Sequence, residues 1–453
     1  MKRNPAIYLA LLSLLFIASA CGGTEEESEL SPFAMVNSFS IGEIRSGYPE
    51  FTTDGRDTVV YKTVSMGSIA FTIDQLAGEI YNLDSLPFAT DVSKVLVNMS
   101  VNGIASIYVD STDTYESFAS TDSLDFTYPR KFRIYSEGAL YHKDYVASVN
   151  VHQVNPELME WRKYQAVDNV EPVRALERDG VMYLFGNKAD GSVAVAATDA
   201  ADVPSWSVQD VDGLPAAALA TVQLFGGNFY AVADGNVYSS ADAVQWSTVA
   251  TGTGAVAIVG VSDEESRLWI AGEQGLLCSI DGVSFSPAGE LPAGFPLYGV
   301  SIASYPLSHN RNIIRYMLVG YTTAAKDGEV AVWSRLSTED RWTCYDNEGN
   351  PYPCPALKDV AVLHYDNFLY ALGGAGVVDG EDVDAFSSFY ISRDNGIAWK
   401  ASSDFYQRLP EELSGNNAPF AVTVDAGNYI WIISSGENGC VWKGILNRLG
   451  FKK

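Results

Sequence analysis

The sequence predicts an all-β chain, with a β-sandwich over residues 33–155 and a six-bladed β-propeller over residues 156–453. Three observations predict it. Through the first segment apolar and polar residues alternate at period two, as half-buried strands require. Through the second, a polar turn followed by an apolar strand with an aromatic recurs six times. A lone strand-like stretch at the start of that second segment matches a strand missing from its last repeat.

In the first segment Val95, Val97, Met99 and Val101 share one face, and Lys94, Asn98 and Ser100 fall on the other. Tyr145, Ala147, Val149 and Val151 repeat the pattern, and Phe132 and Ile134 alternate with Lys131, Arg133 and Tyr135. Several such strands separated by turns make an antiparallel sandwich. Pro87 and Pro129 sit outside the best strand cores, where a missing N–H breaks no ladder.

The repeats of the second segment begin their aromatic strands near Gly180, Gly227, Ser266, Ile314, Asp366 and Gly427. Each has an apolar strand before it and a third strand after it. Trp206, Trp246, Phe285, Trp342 and Trp399 then open a fourth strand in five of the six. The sixth lacks its fourth strand, and Leu158 to Tyr164, around Trp161, has no unit of its own. Closing a ring with that strand accounts for both and protects sheet edges that would otherwise aggregate. A linear array leaves Trp161 unexplained.

One turn is spelled out in Ser392-Arg393-Asp394-Asn395-Gly396-Ile397-Ala398-Trp399. Ser and Asp side chains bond nearby backbone amides, Gly396 admits positive φ, and Trp399 restarts a strand. Weaker copies are Ser240-x-Asp242 before Trp246 and Ser279-x-Asp281 before Phe285. The pattern resembles the Asp-box of sialidase-like β-propellers. There the box is a structural turn between third and fourth strands, on the face away from the ligand. The resemblance assigns Ser392, Asp394, Gly396, Trp399, Asp242, Trp246 and Asp281 to structure. Gly373-Gly374 with the later Trp399 resembles kelch repeats.

Lys2 and Arg3 followed by an apolar run from Ile7 to Ile17 make residues 1–20 a targeting segment. Ala18-Ser19-Ala20-Cys21 resembles the lipobox of bacterial lipoproteins, which implies lipidation of Cys21 and contact with a membrane through that anchor alone. Residues 21–32, with Glu25-Glu26-Glu27 and Glu29, read as an acidic tether. An acidic run in this place resembles the surface-export signal of Bacteroidota lipoproteins, implying the outer face of the outer membrane. Ile73-Asp74 with Gly78 and Ile80, Thr90-Asp91-Val92, Asp125-Phe126 with Pro129, and the Tyr145 to Val151 alternation resemble an immunoglobulin-like module of such lipoproteins, which implies a spacer. The whole chain resembles a Bacteroidota lipoprotein family of unknown function, with this module followed by an Asp-box and kelch-like propeller. That resemblance supports the architecture and supplies no activity.

A net charge of −27 opposes nucleic acid and strongly anionic glycans. Four histidines leave little for a His-based metal site, and no metal or cofactor is expected. Asp379-Gly380-Glu381-Asp382-Val383-Asp384 offers oxygen ligands for calcium, but its Gly is second, where an EF-hand needs it sixth, so it reads as a solvated loop. Sialidase-like chemistry needs three arginines, a tyrosine nucleophile with a carboxylate partner, and an acid. Arginine is scarce on the loops expected to face a ligand. Cys344 and Cys354 flank a turn-rich segment in an exported chain, which favours a disulfide. Cys278 and Cys440 fall on third strands of opposite repeats and read as buried thiols.

Repeats four to six carry long loops at Tyr321 to Glu329, Thr343 to Lys358, Gly373 to Ser387 and Ala401 to Ala418. Long loops in a compact domain are often functional. Tyr345, Tyr352, Phe405, Tyr406 and Arg408 are the expected ligand contacts, because exposed aromatics stack on sugars or anchor proteins. Tyr321 and Phe386 lie on the same loops. The competing expectation is that such residues pack their own loops. The function expected is that of a non-catalytic, surface-exposed lipoprotein binding a glycan or protein ligand. Alternatives are a sialidase-like or other glycoside-active enzyme, and a structural or adhesion scaffold.

Overall fold

A computed structural model describes residues 30–450, apart from 52–56, 65–68, 273, 327–329, 346–347, 379, 404–405 and 437–438. The targeting segment, Cys21, the tether as far as Glu29, Asp379 and Phe405 therefore lie outside the described residues. The chain divides into two compact units between Gln153 and Val154.

The N-terminal unit builds two sheets around one core. Val36–Ile41, Val95–Val101 and Ser123–Leu124 form one. The other orders Phe71–Asp74, Glu79–Asn82, His142–Ala147, Arg130–Tyr135, Ile104–Val109 and Thr114–Ser117. Ile44–Phe51 and Asp57–Val64 make a separate hairpin. Alternation translates directly into burial: Val95 and Val97 are buried while Leu96 between them is 48% exposed. Phe39 sits at the centre, with the rings of Phe71, Phe126 and Phe132 at 5.0, 6.5 and 6.4 Å. Two pairings among the described residues of this unit depart from the antiparallel expectation: Val146 and Ala147 run parallel to Glu79 and Ile80, and Val151 bridges Leu86 in parallel. Local alternation cannot tell parallel from antiparallel neighbours, because both present the same faces.

The C-terminal unit contains six four-stranded antiparallel sheets among its described residues. Five are contiguous in the chain, over residues 171–210, 223–250, 255–289, 298–345 and 361–401, and are called here the first to fifth sheets. The sixth joins Phe420–Val424, Ile430–Ser434 and Cys440–Leu446 to Met159–Gln165 from the start of the unit. Met159 pairs with Leu446 and Gln165 with Cys440, so the strand around Trp161 fills the place its sequence predicted. The first strand of each sheet touches that of the next, and Phe420–Val424 touches Glu171–Arg178 to complete the cycle. Neighbours on both sides explain why Ile430–Ser434 and Cys440–Leu446 are buried at every residue instead of at alternate ones. Met159–Gln165, outermost in its sheet, leaves Glu160, Arg162 and Lys163 exposed, and charged residues on an outer strand discourage edge-to-edge pairing.

No described helix is long and apolar enough to cross a membrane.

Candidate functional site

In a four-stranded antiparallel sheet the first and third turns lie at one end. The second turn and the link to the next sheet lie at the other. The serine–aspartate motifs occupy third turns. Ser392 Oγ donates to Asp394 Oδ1 at 2.8 Å, and Gly396 N and Ala398 N donate to Ser392 Oγ and Asp394 Oδ1. Trp399 Nε1 closes the turn on the Gly396 carbonyl at 3.0 Å. Gly396 is required twice over: its φ is +95°, and a Cβ there would lie 2.5 Å from Met317 Cε. Asp242 accepts from Val244 N and Gln245 N, with Trp246 Nε1 on the Ala243 carbonyl, and Asp281 accepts from Val283 N and Ser284 N. Those backbone donors hold both carboxyls below the usual carboxylate range. Trp399 and Trp246 are buried. Each of these carboxylates has its acceptor capacity directed at its own turn.

The long loops lie against the sheets. Tyr321 is buried and its hydroxyl donates to the Leu357 carbonyl; Phe386 is buried against Phe420. Tyr345 ends the fourth sheet, partly buried, with its hydroxyl accepting from Arg315 Nη1 at 3.1 Å. Tyr352 is different. It is 40% exposed, its N–H donates to Asn350 Oδ1, and its carbonyl accepts from Trp399 N at 2.9 Å. Asn350 Nδ2 donates to the Ile397 carbonyl, and Lys400 Nζ stands 4.2 Å from the centre of the Tyr352 ring. The loop between the fourth and fifth sheets thus doubles back to the third-turn end, and Tyr352 becomes a ledge beside Trp399 and not part of the opposite, loop-rich face.

Tyr406 and Arg408 go elsewhere. The Tyr406 carbonyl accepts from Met159 N at 2.9 Å, and the Arg408 carbonyl accepts from Trp161 Nε1 at 2.7 Å. Lys163 pairs with Glu412 further along the same loop. This loop therefore fastens the strand that completes the sixth sheet. Tyr345 and Tyr352 gather at the fifth sheet's turn, Tyr406 and Arg408 at the closing strand, so the expected contacts form two clusters with different partners.

The expected Cys344–Cys354 disulfide is corrected. Cys354 is a free thiol, 5% exposed in the core between the fourth and fifth sheets, and burial pushes its pKa up. Cys344 is exposed on Thr343–Tyr345. Chain spacing permitted the bond, but one residue points inward and the other outward. Cys440 is a buried thiol as read; Cys278 is only half-buried. Of the acidic stretch that offered oxygen ligands for calcium, Glu381–Val383 forms a strand that pairs against Gly376–Val378.

Two features escaped the sequence. Tyr305 and His364, from first strands of the fourth and fifth sheets, stack at 3.9 Å with their planes 4° apart. Tyr305 Oη donates to Asn395 Oδ1 at 3.3 Å. A cleft of about 320 Å³ opens at the third-turn end between the second and third sheets, lined by Phe225, Gly227, Tyr230, Asp263 and Ile280 among others. Both join residues from different sheets, and no local spacing signals such a meeting.

The DUF6242 β-propeller domain matches residues 155–453, and the DUF6242 N-terminal domain, of unknown function, matches residues 39–149. No curated protein matches. Similar solved structures include a Carbohydrate-Active Enzymes Family AA12 protein from Trichoderma reesei, at 10% identity and TM-score 0.37, covering 65% of this chain and 99% of that one. AofleA from Arthrobotrys oligospora is 15% identical with TM-score 0.36, covering 63% and 86%. The Pan2 WD40 domain of Neurospora crassa is 10% identical with TM-score 0.36, covering 64% and 97%. Likeness at this level assigns no function.

Proposed function

The chain belongs to the DUF6242 family, and from that premise we propose a surface-exposed lipoprotein whose C-terminal unit, a six-bladed propeller, binds a glycan or protein ligand without catalysis. The lipobox at Cys21, the acidic tether and an immunoglobulin-like spacer support the location. Six four-stranded sheets whose first strands touch in a cycle support the blade count.

The observation that carries the binding role is the Tyr352 ledge. Pro351 and Pro353 restrict its backbone, and bonds to Asn350 and Trp399 fix it to the fifth sheet. An aromatic already held in place loses little freedom when a ligand covers it. Lys400 against the ring supplies a donor for a sugar hydroxyl or a carbonyl.

A glycan array probed with the full chain, read for both retention and released product, is the test. Tyr352→Ala should lower retention about tenfold, with an unchanged melting temperature. Unchanged retention in that variant removes the ledge from the site, and product release would replace the reading with a glycoside-active enzyme.

A further inference from the structure

We propose that the end of the N-terminal unit where the tether enters is a lipid-contacting foot, which rests on the zwitterionic headgroups of the membrane holding Cys21. The inference builds on the lipoprotein reading above. Leu30, Phe33, Ile104, Leu140 and Tyr141 are 63, 60, 54, 83 and 61% exposed. Single exposed apolar side chains are ordinary; a group of large ones at one end of a small unit marks a contact surface.

Main-chain and side-chain contacts bring these five to the same end. Tyr141 closes the turn between Arg130–Tyr135 and His142–Ala147, where Ser136 N donates to its carbonyl. Leu30 and Leu140 flank Gly138, each with an atom within 4 Å of where a Cβ would stand. Ser31 N donates to Glu137 Oε2 at 2.8 Å, which pins the entering chain to that turn. Ile104 pairs with Tyr135, and Asn102 N donates to the Met35 carbonyl two residues beyond Phe33.

Chain length selects the occupant. Eight residues separate Cys21 from Leu30. Fully extended, that link reaches about 30 Å, so an acylated Cys21 holds this end within that distance of the bilayer. His142–Ala147 leads away from the foot toward Val151, which bridges Leu86. Leucine, phenylalanine and tyrosine suit the boundary between headgroups and acyl chains. The chain's strong negative charge disfavours anionic lipid and points to a neutral headgroup.

Hydrogen exchange tests the proposal on the full chain. The acylated protein in phosphatidylethanolamine–phosphatidylcholine vesicles is compared with Cys21→Ser protein in solution. Peptides covering 136–142 should exchange at least tenfold more slowly on vesicles. Leu140→Glu should abolish the slowing, and Val203→Glu, at an exposed site in the other unit, should leave it intact. Equal exchange on and off vesicles, in protein whose mass shows acylated Cys21, overturns the foot and spares the anchor. A mature protein without acyl mass on Cys21 overturns the anchor and the foot with it. Slowing in solution that grows with protein concentration assigns the surface to a second copy and overturns the lipid contact.

Discussion

Burial makes His364 a neutral imidazole: its pKa is pushed down to about 4, and the Tyr305 ring covers one face. The unfolded chain protonates an ordinary histidine near pH 6.5. Between those values the unfolded state holds a proton that the folded state refuses. Stability is therefore fully present above about pH 6.5 and falls as the pH drops toward 4. His364→Phe keeps a flat ring against Tyr305 and removes the titration. Urea unfolding at pH 7 and pH 4.5 should show a smaller acid loss in the variant, by about 2 kcal/mol after allowance for partial exposure. Identical losses in both proteins would show that His364 does not titrate as placed. Nothing in Val-Leu-His-Tyr marks this residue; its environment comes from Tyr305, about sixty residues earlier.

At the scale of the element, the serine–aspartate turns also serve as grips for neighbouring sheets. Arg178 of the first sheet donates to the Ala241 carbonyl in the second sheet's turn at 2.7 Å. The Tyr230 ring of the second lies against Gly282 of the third, and Tyr305 of the fourth reaches Asn395 of the fifth. Within the turn the indole outweighs the carboxylate. Trp399 is 3% exposed in the core between sheets, so Trp399→Ala should cost about 3–5 kcal/mol. Asp394 is exposed, and Asp394→Ala should cost about 1 kcal/mol, largely recovered in Asp394→Asn, which keeps an acceptor. Urea denaturation checks the order; equal costs would mean that the turn, not the ring, sets the stability of the fifth sheet. The motif was legible because its bonds span four residues or fewer. The grips were not, because Arg178 and Tyr230 resemble any other strand residue until the sheets are stacked.

At the scale of the molecule, the ends of the C-terminal unit meet twice. Met159–Gln165 completes the sixth sheet, and Lys443 ties that sheet to the first. Lys443 is 5% exposed, its Nζ is 3.9 Å from Asp425 Oδ2, and it donates to the Ala200 carbonyl in the first sheet's turn. The rings of Tyr429 and Trp431 lie 4.3 and 4.7 Å away. Burial lowers its pKa, against the pull of Asp425. Lys443→Met leaves Asp425 buried without its counter-charge and should cost about 3–5 kcal/mol. Adding Asp425→Asn should recover most of that loss. Unfolding free energies of the two variants decide it, and a single variant as stable as the native protein would show the seam held by strand pairing alone.

The division between sequence and structure follows the range of the interactions. Alternation in Val95 to Val101, the recurring strands and the unpartnered Trp161 stretch are local or periodic patterns. They determined strand placement and the return of the first strand to the last sheet. Tertiary packing decided the rest. It turned Cys354 inward and left Cys344 outside, where spacing alone allowed a bond. It folded the Tyr352 loop back to the turn end and used Tyr406 and Arg408 to fasten the closing strand. A loop's length and composition state that it must satisfy its polar groups, but which surface satisfies them depends on residues brought there by the whole ring.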